Sequence, residues 1–211
     1  MKSFSDLNDE NKEIVKSFLE KIDFEDGNLY FAYGISAQKK TSDIVARLNN
    51  SIMLTENERV NAMVGDVLER YVNKGTEKKG VFDFLKKNKV QEQSVEAQEK
   101  AILYVKNEIK VLIKTLITQN VVLGNLGEEN NSNMERLDNL IIAGDLKILD
   151  AEKNMLTDEN NIERFSKRVD ELKLNKTMAT QLNVKLEILE ESTKNILSNS
   201  QQNLEKLNSY L

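Results

Sequence analysis

Apolar residues recur at three- and four-residue steps along most of this 211-residue chain, which is the pattern of amphipathic α-helices. Three such segments fill the first 80 residues. The first follows Ser5 or Asp6 and ends before Gly27, the second covers about 28–53, and the third covers about 55–72. Gly34 lies inside the second segment. Because glycine costs about 1 kcal/mol in a helix interior, we expect a close helix–helix contact there.

From about residue 89 the spacing becomes a strict three–four alternation, which is typical of a coiled-coil seam. It predicts one helix to about residue 154. Gly124 and Gly127 could kink it, but the register agrees on both sides, which favours continuity. The seam passes through polar residues, Gln119, Asn130 and Asn133, which are expected to weaken packing and to fix the register. Its apolar members are Ile102, Val105, Ile109, Leu112, Leu116, Leu123, Leu126, Leu137 and Leu140.

A second seam follows a predicted turn at 157–161. Two long arms joined by a short turn predict an antiparallel helical hairpin. The sequence therefore predicts an all-α, elongated protein in two parts: a small N-terminal bundle of about three helices at 1–80, and a coiled-coil-like hairpin at 81–211. The second seam consists of Phe165, Val169, Leu172, Ala179, Leu186, Leu197, Leu204, Leu207 and Leu211.

The composition excludes several classes of functional site. The chain has no Pro, Cys, His or Trp. Without Cys and His it lacks thiol nucleophiles, histidine-containing triads, zinc fingers and haem ligands. It also lacks phosphate-binding glycine loops and nucleophile elbows. Metal sites built only from carboxylates and carbonyl oxygens remain possible, but neither Glu128-Glu129 nor Asp158-Glu159 has the spacing of a calcium loop. We therefore expect no cofactor and no metal site, and no residue pattern that identifies an enzyme. The missing Pro fits long helices, because an interior Pro costs about 3 kcal/mol.

The charge and the apolar runs limit the cellular setting. The formal net charge is −5, which argues against a nucleic-acid-binding protein. No apolar run approaches the roughly 18 residues that a membrane-spanning helix needs. The N-terminus turns acidic at Asp6 and shows no apolar signal-peptide region. The absence of Cys, and so of disulfides, is compatible with a cytosolic chain.

The strongest basic patch lies where the two predicted parts meet. Its lysines and phenylalanines are typical of an amphipathic anchor for an anionic membrane or an acidic protein partner. Alternatively, Phe82 and Leu85 pack into the bundle and the lysines are solvated, and the shortness of the segment favours this interpretation. The candidate interaction residues are Lys78, Lys79, Phe82, Phe84, Lys86, Lys87 and Lys89.

A second basic cluster lies within one helical turn near the start of the last arm and consists of Arg164, Lys167 and Arg168. Basic side chains near a helix start could attract an oxyanion. The alternative, a solvated surface with Asp170 and Glu171 as ion-pair partners, is the favoured interpretation.

Five segments carry a resemblance to a known family. The first is Tyr-Gly-Ile-Ser-Ala-Gln-Lys-Lys at 33–40, and the second is Val-Gly-Asp-Val-Leu at 64–68. The third is the Phe/Leu/Lys-rich stretch at 81–87. The fourth, at 137–147, contains Ile-Ala-Gly-Asp-Leu-Lys, and the fifth, at 165–172, reads Phe-Ser-Lys-Arg-Val-Asp-Glu-Leu. In order and spacing they resemble the TelA-type toxic-anion-resistance family, from about residue 33 to 189. After Gln181 the chain departs from the family, which usually continues into a Pro-containing segment.

The resemblance implies a cytoplasmic bacterial protein linked to resistance against tellurite and other stresses. It carries over no catalytic residue. We therefore expect a non-enzymatic stress-resistance protein that acts through contacts with a protein partner or a membrane surface, with its oligomeric state open. The alternative is a structural coiled-coil scaffold or interaction protein of a phage or a cell-envelope system.

Overall fold

The computed structural model describes residues 3–51, 60, 62–66, 88–154 and 158–209, excluding the side chains of 88–95 and 98. These residues are helices and short connections, without a strand. A 3-10 turn, Phe4–Asp6, precedes five α-helices: α1 (Asp9–Glu20), α2 (Leu29–Ala32), α3 (Ile35–Ser51), α4 (Asn88–Asn154) and α5 (Glu159–Asn208). Residues 62–66 are also helical. The predicted all-α fold class is confirmed.

The two long arms form the hairpin that the seams predict. Helix α4 has 67 residues and continues through Gly124 and Gly127 without a break. Helix α5 has 50 residues and packs against α4. The apolar seam of α4 is buried at every predicted position, from Ile102 to Leu140. In the second seam, Phe165, Val169, Leu172, Ala179, Leu186 and Leu207 are buried, whereas Leu197 and Leu204 are partly buried.

The predicted single helix at 28–53 is wrong, because the chain breaks at Gly34. Helix α2 ends at Ala32 and α3 begins at Ile35. Gly34 between them has φ +71°, a left-handed conformation that only glycine adopts without strain. The expected close helix contact at Gly34 is present, but it lies at a break between helices. Residues 52–59 lie outside the described part, and so does most of the predicted helix at 55–72.

Two helix starts also differ from the sequence prediction. Helix α1 begins after Asn8, whose Oδ1 accepts the backbone N–H of Asn11 at 2.8 Å. The predicted turn at 157–161 is already helical from Glu159, because Asp158 accepts the N–H of Asn160 at 3.0 Å. Both caps satisfy donors that a helix leaves unpaired at its first turn.

The chain divides into two compact units. Unit 1 comprises Met1–Asn50 and Leu123–Ile188, and unit 2 comprises Ser51–Val122 and Leu189–Leu211. This division is based on which residues contact one another in the fold, whereas the sequence pattern predicts a small bundle at 1–80 and a long helical hairpin at 81–211. Because α4 and α5 are longer than one bundle, each contributes one section to each unit.

Each unit has its own apolar core. In unit 1, Phe165, Leu172, Leu137 and Ile141 pack with Val15 and Ala37. Polar contacts also join α1 to α4, since Asn139 donates to Asn11 Oδ1 at 2.6 Å and Asn11 donates to Glu135 at 2.6 Å. In unit 2 the core consists of Val60, Val64, Ile102, Val105, Ile109, Leu112, Leu116 and Leu207.

Candidate functional site

Three of the five resemblance segments meet at one place in unit 1, which we call the Arg168 junction. Helix α5 supplies Arg168, α3 supplies Gln38, and Tyr33 and Gly34 come from the break before α3. Arg168 is only 8% exposed. Its Nε donates to the carbonyl oxygen of Tyr33 at 2.8 Å, and one Nη donates to Gln38 Oε1 at 2.8 Å. The other Nη donates to Glu171 at 2.5 Å. All three guanidinium nitrogens are therefore used within the fold.

Tyr33 joins this junction to α4. Its hydroxyl donates to the carbonyl oxygen of Leu140 at 2.6 Å, and its ring packs on Phe165 with centroids 5.0 Å apart and planes at 61°. Phe165 in turn meets Phe24 edge to face at 5.4 Å. Burial raises the pKa of Tyr33, so the phenol remains a neutral donor. The aromatic cluster and the hydrogen bond together tie α2, α4 and α5.

Two glycines of the resemblance segments allow the close approach of helices at the junction. A Cβ atom on Gly34 would lie 2.6 Å from Leu172 Cδ2, and one on Gly144 would lie 2.5 Å from Val169 Cγ2. Both distances are shorter than a carbon–carbon contact allows. The family-like glycines thus serve packing between segments that are distant in the sequence.

A layer of buried amides and a hydroxyl lies beside the junction. Asn133 Nδ2 donates to the carbonyl oxygen of Ala37 at 3.1 Å and to Thr41 Oγ1 at 3.0 Å. Thr41 Oγ1 also lies 3.0 Å from Asn175 Oδ1. In a neighbouring layer, Asn130 Nδ2 donates to the carbonyl oxygen of Ala179 at 2.8 Å. The predicted polar seam positions are therefore buried between helices, where a slipped register would leave them without partners.

Glu129 forms a charged clamp between α3 and α4. The Arg47 guanidinium binds both of its oxygens, at 2.8 and 3.0 Å, and Lys40 Nζ lies 2.5 Å from Oε2. Hydrogen bonds from Arg47 first, and from Lys40 second, lower the pKa of Glu129 from 4.5 to about 2. The sequence pattern does not indicate this clamp, because Glu129 lies 82 positions from Arg47 and 89 from Lys40, and all three residue types are common on helix surfaces.

The clamp should make stability depend on pH. Because the pKa of Glu129 is lower in the folded state, the clamp stabilises the protein above the ordinary pKa of 4.5 and is lost as the pH falls towards 2. Glu129→Gln should therefore lower the free energy of unfolding by about 1 kcal/mol near neutral pH, after allowance for solvent screening. Urea unfolding at a series of pH values should show this difference shrinking between about pH 5 and pH 2.

Glu128→Gln provides the matched control, since it removes the same charge from the exposed neighbouring position. It should change the free energy of unfolding by less than about 0.5 kcal/mol. Equal losses for the two variants, or a Glu129→Gln loss that persists at low pH, would contradict the clamp.

The predicted basic cluster of α5 does not converge on a single site. Arg168 points into the junction, whereas Lys167 Nζ pairs with Glu163 at 2.7 Å. The Arg164 guanidinium lies over the Tyr30 ring, 5.7 Å from its centroid. The three cations thus have separate partners. Lys167 is in an exposed ion pair, but with Glu163 instead of Asp170 or Glu171. Arg168 does pair with Glu171, but it is buried and not on a solvated surface.

The candidate interaction patch lies almost wholly outside the described residues. This applies to Lys78, Lys79, Phe82, Phe84, Lys86 and Lys87. Lys89 belongs to the first turn of α4, but its side chain is not among those described. The patch remains a prediction from the sequence.

Two cavities lie within the described part. One in unit 1, of about 220 Å³, is lined by Asp23, Glu25, Asp150, Lys147 and apolar neighbours. Another in unit 2, of about 380 Å³, is lined by Ser51, Lys114, Thr115, Thr118, Gln119 and Val122. Both threonine hydroxyls there donate to carbonyl oxygens of α4. No group of three or more acidic side chains in the described ranges is arranged to hold a metal ion.

Comparison with known proteins adds no relative. No protein-family model, curated protein or solved structure matches this chain. Within the described residues, no helix has both the length and the apolar character needed to cross a membrane. Function must therefore be argued from the residues themselves and from the sequence resemblance.

Proposed function

We propose that this chain is a non-enzymatic, cytoplasmic bacterial stress-resistance protein of the toxic-anion (tellurite) resistance type. It acts through contacts with a protein partner or a membrane surface. Nucleic acid is not among its partners, and it uses no cofactor or metal.

The observation that carries the proposal is the Arg168 junction. Its segments are among those that resemble the family in sequence. The junction hydrogen bonds span 107 positions from Tyr33 to Leu140 and 135 positions from Tyr33 to Arg168. The residues that make the resemblance, among them Gly34 and Gln38, are those that touch. If a family shares these segments because they hold its fold together, the segments should contact one another in the folded chain, as they do at the Arg168 junction.

The non-enzymatic part of the proposal follows from how the junction side chains are used. Arg168 binds protein acceptors, Tyr33 donates to a carbonyl, and the two close-approach glycines are covered by Leu172 and Val169. Tellurite reduction would need electrons from a thiol, a flavin or a metal. The chain has no Cys, so a role in contacts fits these residues better than redox turnover does.

Loss of the gene in the host should test the resistance role. The deletion strain should stop growing at a lower tellurite concentration than the parent, and the wild-type gene should restore growth. The purified protein, supplied with NADPH and tellurite, should consume neither. Unchanged tellurite tolerance on deletion would contradict the resistance role, and NADPH-dependent reduction by the purified protein would contradict the non-enzymatic role.

A structural scaffold of a phage or cell-envelope system is the second candidate. The long hairpin of α4 and α5 favours it, and so does a row of exposed apolar side chains on α5, formed by Leu174, Met178, Val184 and Ile188. This candidate predicts normal tellurite tolerance in the deletion strain and recovery of the protein in an assembled particle or envelope fraction. Neighbouring morphogenesis genes would favour it, and neighbouring stress genes the first candidate.

A further inference from the structure

One face of α4 in unit 2 combines exposed apolar side chains with lysines. Between Leu103 and Val121, nine side chains are exposed and none of them is acidic. We call them the Leu103–Val121 face. Its members are Leu103, Tyr104, Asn107, Lys110, Val111, Lys114, Ile117, Thr118 and Val121.

Helical geometry places all nine on one side of α4. At 3.6 residues per turn they fall within an arc of about 140°, and the face is about 27 Å long. The opposite side of the same section, including Ile102, Ile109 and Leu116, forms the core of unit 2. The exposed residues are therefore a second, outward face of mixed apolar and basic side chains on a helix whose apolar inner face is already buried.

Three of the apolar members are more than half exposed to solvent. Val111 is 61% exposed, Val121 57% and Tyr104 56%. The apolar side chains are interspersed with polar and basic ones along the arc, and exposed apolar side chains clustered in this way on one helix face mark an interaction surface.

The charge of the face indicates the sign of its partner. The chain has 35 acidic residues against 30 basic ones, yet the section from Leu103 to Val121 contains three lysines and one carboxylate. That carboxylate, Glu108, is not exposed and lies outside the arc. A positive apolar face on an acidic protein attracts anionic partners.

An anionic bilayer fits this face better than a protein does. Two copies of the face would bring Lys110 and Lys114 against like charges, which disfavours self-pairing. A specific protein partner would need hydrogen-bonding groups, but the neutral ones on the face are few: Asn107, the Tyr104 hydroxyl and Thr118, whose hydroxyl already donates to Lys114 O at 3.1 Å. A bilayer needs only apolar side chains and cations above them.

We propose that the Leu103–Val121 face binds the surface of anionic lipid bilayers. Its aliphatic side chains enter the boundary between headgroups and acyl chains, and Lys110 and Lys114 extend their ammonium groups to the lipid phosphates. The proposal rests on the proposed function, since it names the membrane surface as the partner. It places the contact on α4, apart from the basic patch at 78–89.

Vesicle sedimentation of the full chain tests the proposal. The protein should sediment with vesicles of equimolar phosphatidylglycerol and phosphatidylcholine, and much less with phosphatidylcholine alone. Added salt should weaken the binding, because it screens exposed charges.

Charge reversal on the face should remove binding. K110E/K114E should weaken binding to the anionic vesicles by about thirtyfold or more, since each lysine near such a surface contributes about a factor of five. The matched control K167E/K185E reverses two exposed lysines of α5 and changes the net charge equally. It should bind within about threefold of wild type, because its lysines lie outside the face.

Apolar truncation separates insertion from simple charge attraction. V111S/I117S should weaken binding by about tenfold, because each substitution removes apolar area that the bilayer covers. M178S/V184S, on the exposed α5 row, should leave binding unchanged. Equal far-ultraviolet circular dichroism of all four variants will show that they fold.

Three results would overturn the membrane assignment: no sedimentation of the wild type, equal binding to neutral and anionic vesicles, or equal loss in the face and control variants. A self-association that V111S/I117S abolishes would instead assign the face to a second copy. Each can occur while the gene still protects against tellurite, in which case the proposed function stands and only its membrane partner fails.

Discussion

Phe165→Ala should lower the free energy of unfolding of unit 1 by about 3 to 5 kcal/mol, the usual cost of removing a buried aromatic side chain. Phe165 is fully buried. The substitution removes edge contacts to both Phe24 and Tyr33, at 5.4 and 5.0 Å, and leaves a cavity between α2, α4 and α5. Such a loss is a large share of the stability of a typical domain. Urea unfolding followed by near-ultraviolet circular dichroism, to which the Tyr33 ring contributes, will measure it.

Phe31→Ala is the matched control for Phe165→Ala. Phe31 is 77% exposed, so the same chemical change should cost less than about 0.5 kcal/mol. If both variants unfold at the wild-type urea concentration, the aromatic cluster does not hold unit 1 together.

Gly34→Ala should also be strongly destabilising, by about 2 to 5 kcal/mol. About 1 to 2 kcal/mol comes from placing a side chain at φ +71°. A further 1 to 3 kcal/mol, roughly, comes from overpacking, because the new Cβ would lie 2.6 Å from a δ-carbon of the fully buried Leu172. Equilibrium urea unfolding of the full chain will give the difference from wild type.

Gly124→Ala tests the same substitution where neither constraint applies. Gly124 is inside α4, and a Cβ atom added there would have open space within 4 Å. Because alanine is the better helix former, this variant should be more stable than wild type by about 1 kcal/mol. Opposite signs at the two glycines are the expected result, and a stabilising Gly34→Ala would disprove the left-handed conformation at that position.

Each unit has its own apolar core. We therefore expect the urea-unfolding transitions of unit 1 and unit 2 to have different midpoints. Variants of the Arg168 junction should act on the transition of unit 1. Variants of the Leu103–Val121 face lie on exposed positions of unit 2 and should leave both transitions within about 0.5 kcal/mol of wild type.

The spacing of apolar residues alone predicts most of the two long helices. The three–four alternation from Ile102 to Leu140 identified the buried face of α4, because a helix in a bundle must bury one continuous stripe. It also indicated that α4 passes through Gly124 and Gly127 unbroken. The polar seam positions Asn130 and Asn133 were recognised for the same reason, since their place in the register puts them between helices.

The same periodicity does not predict local features that depend on contacts with residues distant in the sequence. The spacing of 28–53 continues smoothly across Gly34, and only the contact with Leu172 makes the left-handed break favourable there. The three cations within one turn of α5 look alike in the sequence. Lys167 pairs with Glu163 of the same helix, whereas the partners of Arg164 and Arg168, the Tyr30 ring and the Tyr33 carbonyl, depend on which segments pack beside α5.

Local sequence pattern was enough to establish the all-α fold class, the hairpin and the buried stripes, because helix formation and amphipathicity depend on residues three or four positions apart. Composition was enough to establish which chemistry is absent, through the missing Cys and His. The packing of distant segments was needed to show that Arg168 is a core residue, that Glu129 clamps α3 to α4, and that the lysine-bearing apolar side of α4 faces outward. Those properties depend on burial and on partners more than 80 positions away along the chain, which no local pattern encodes.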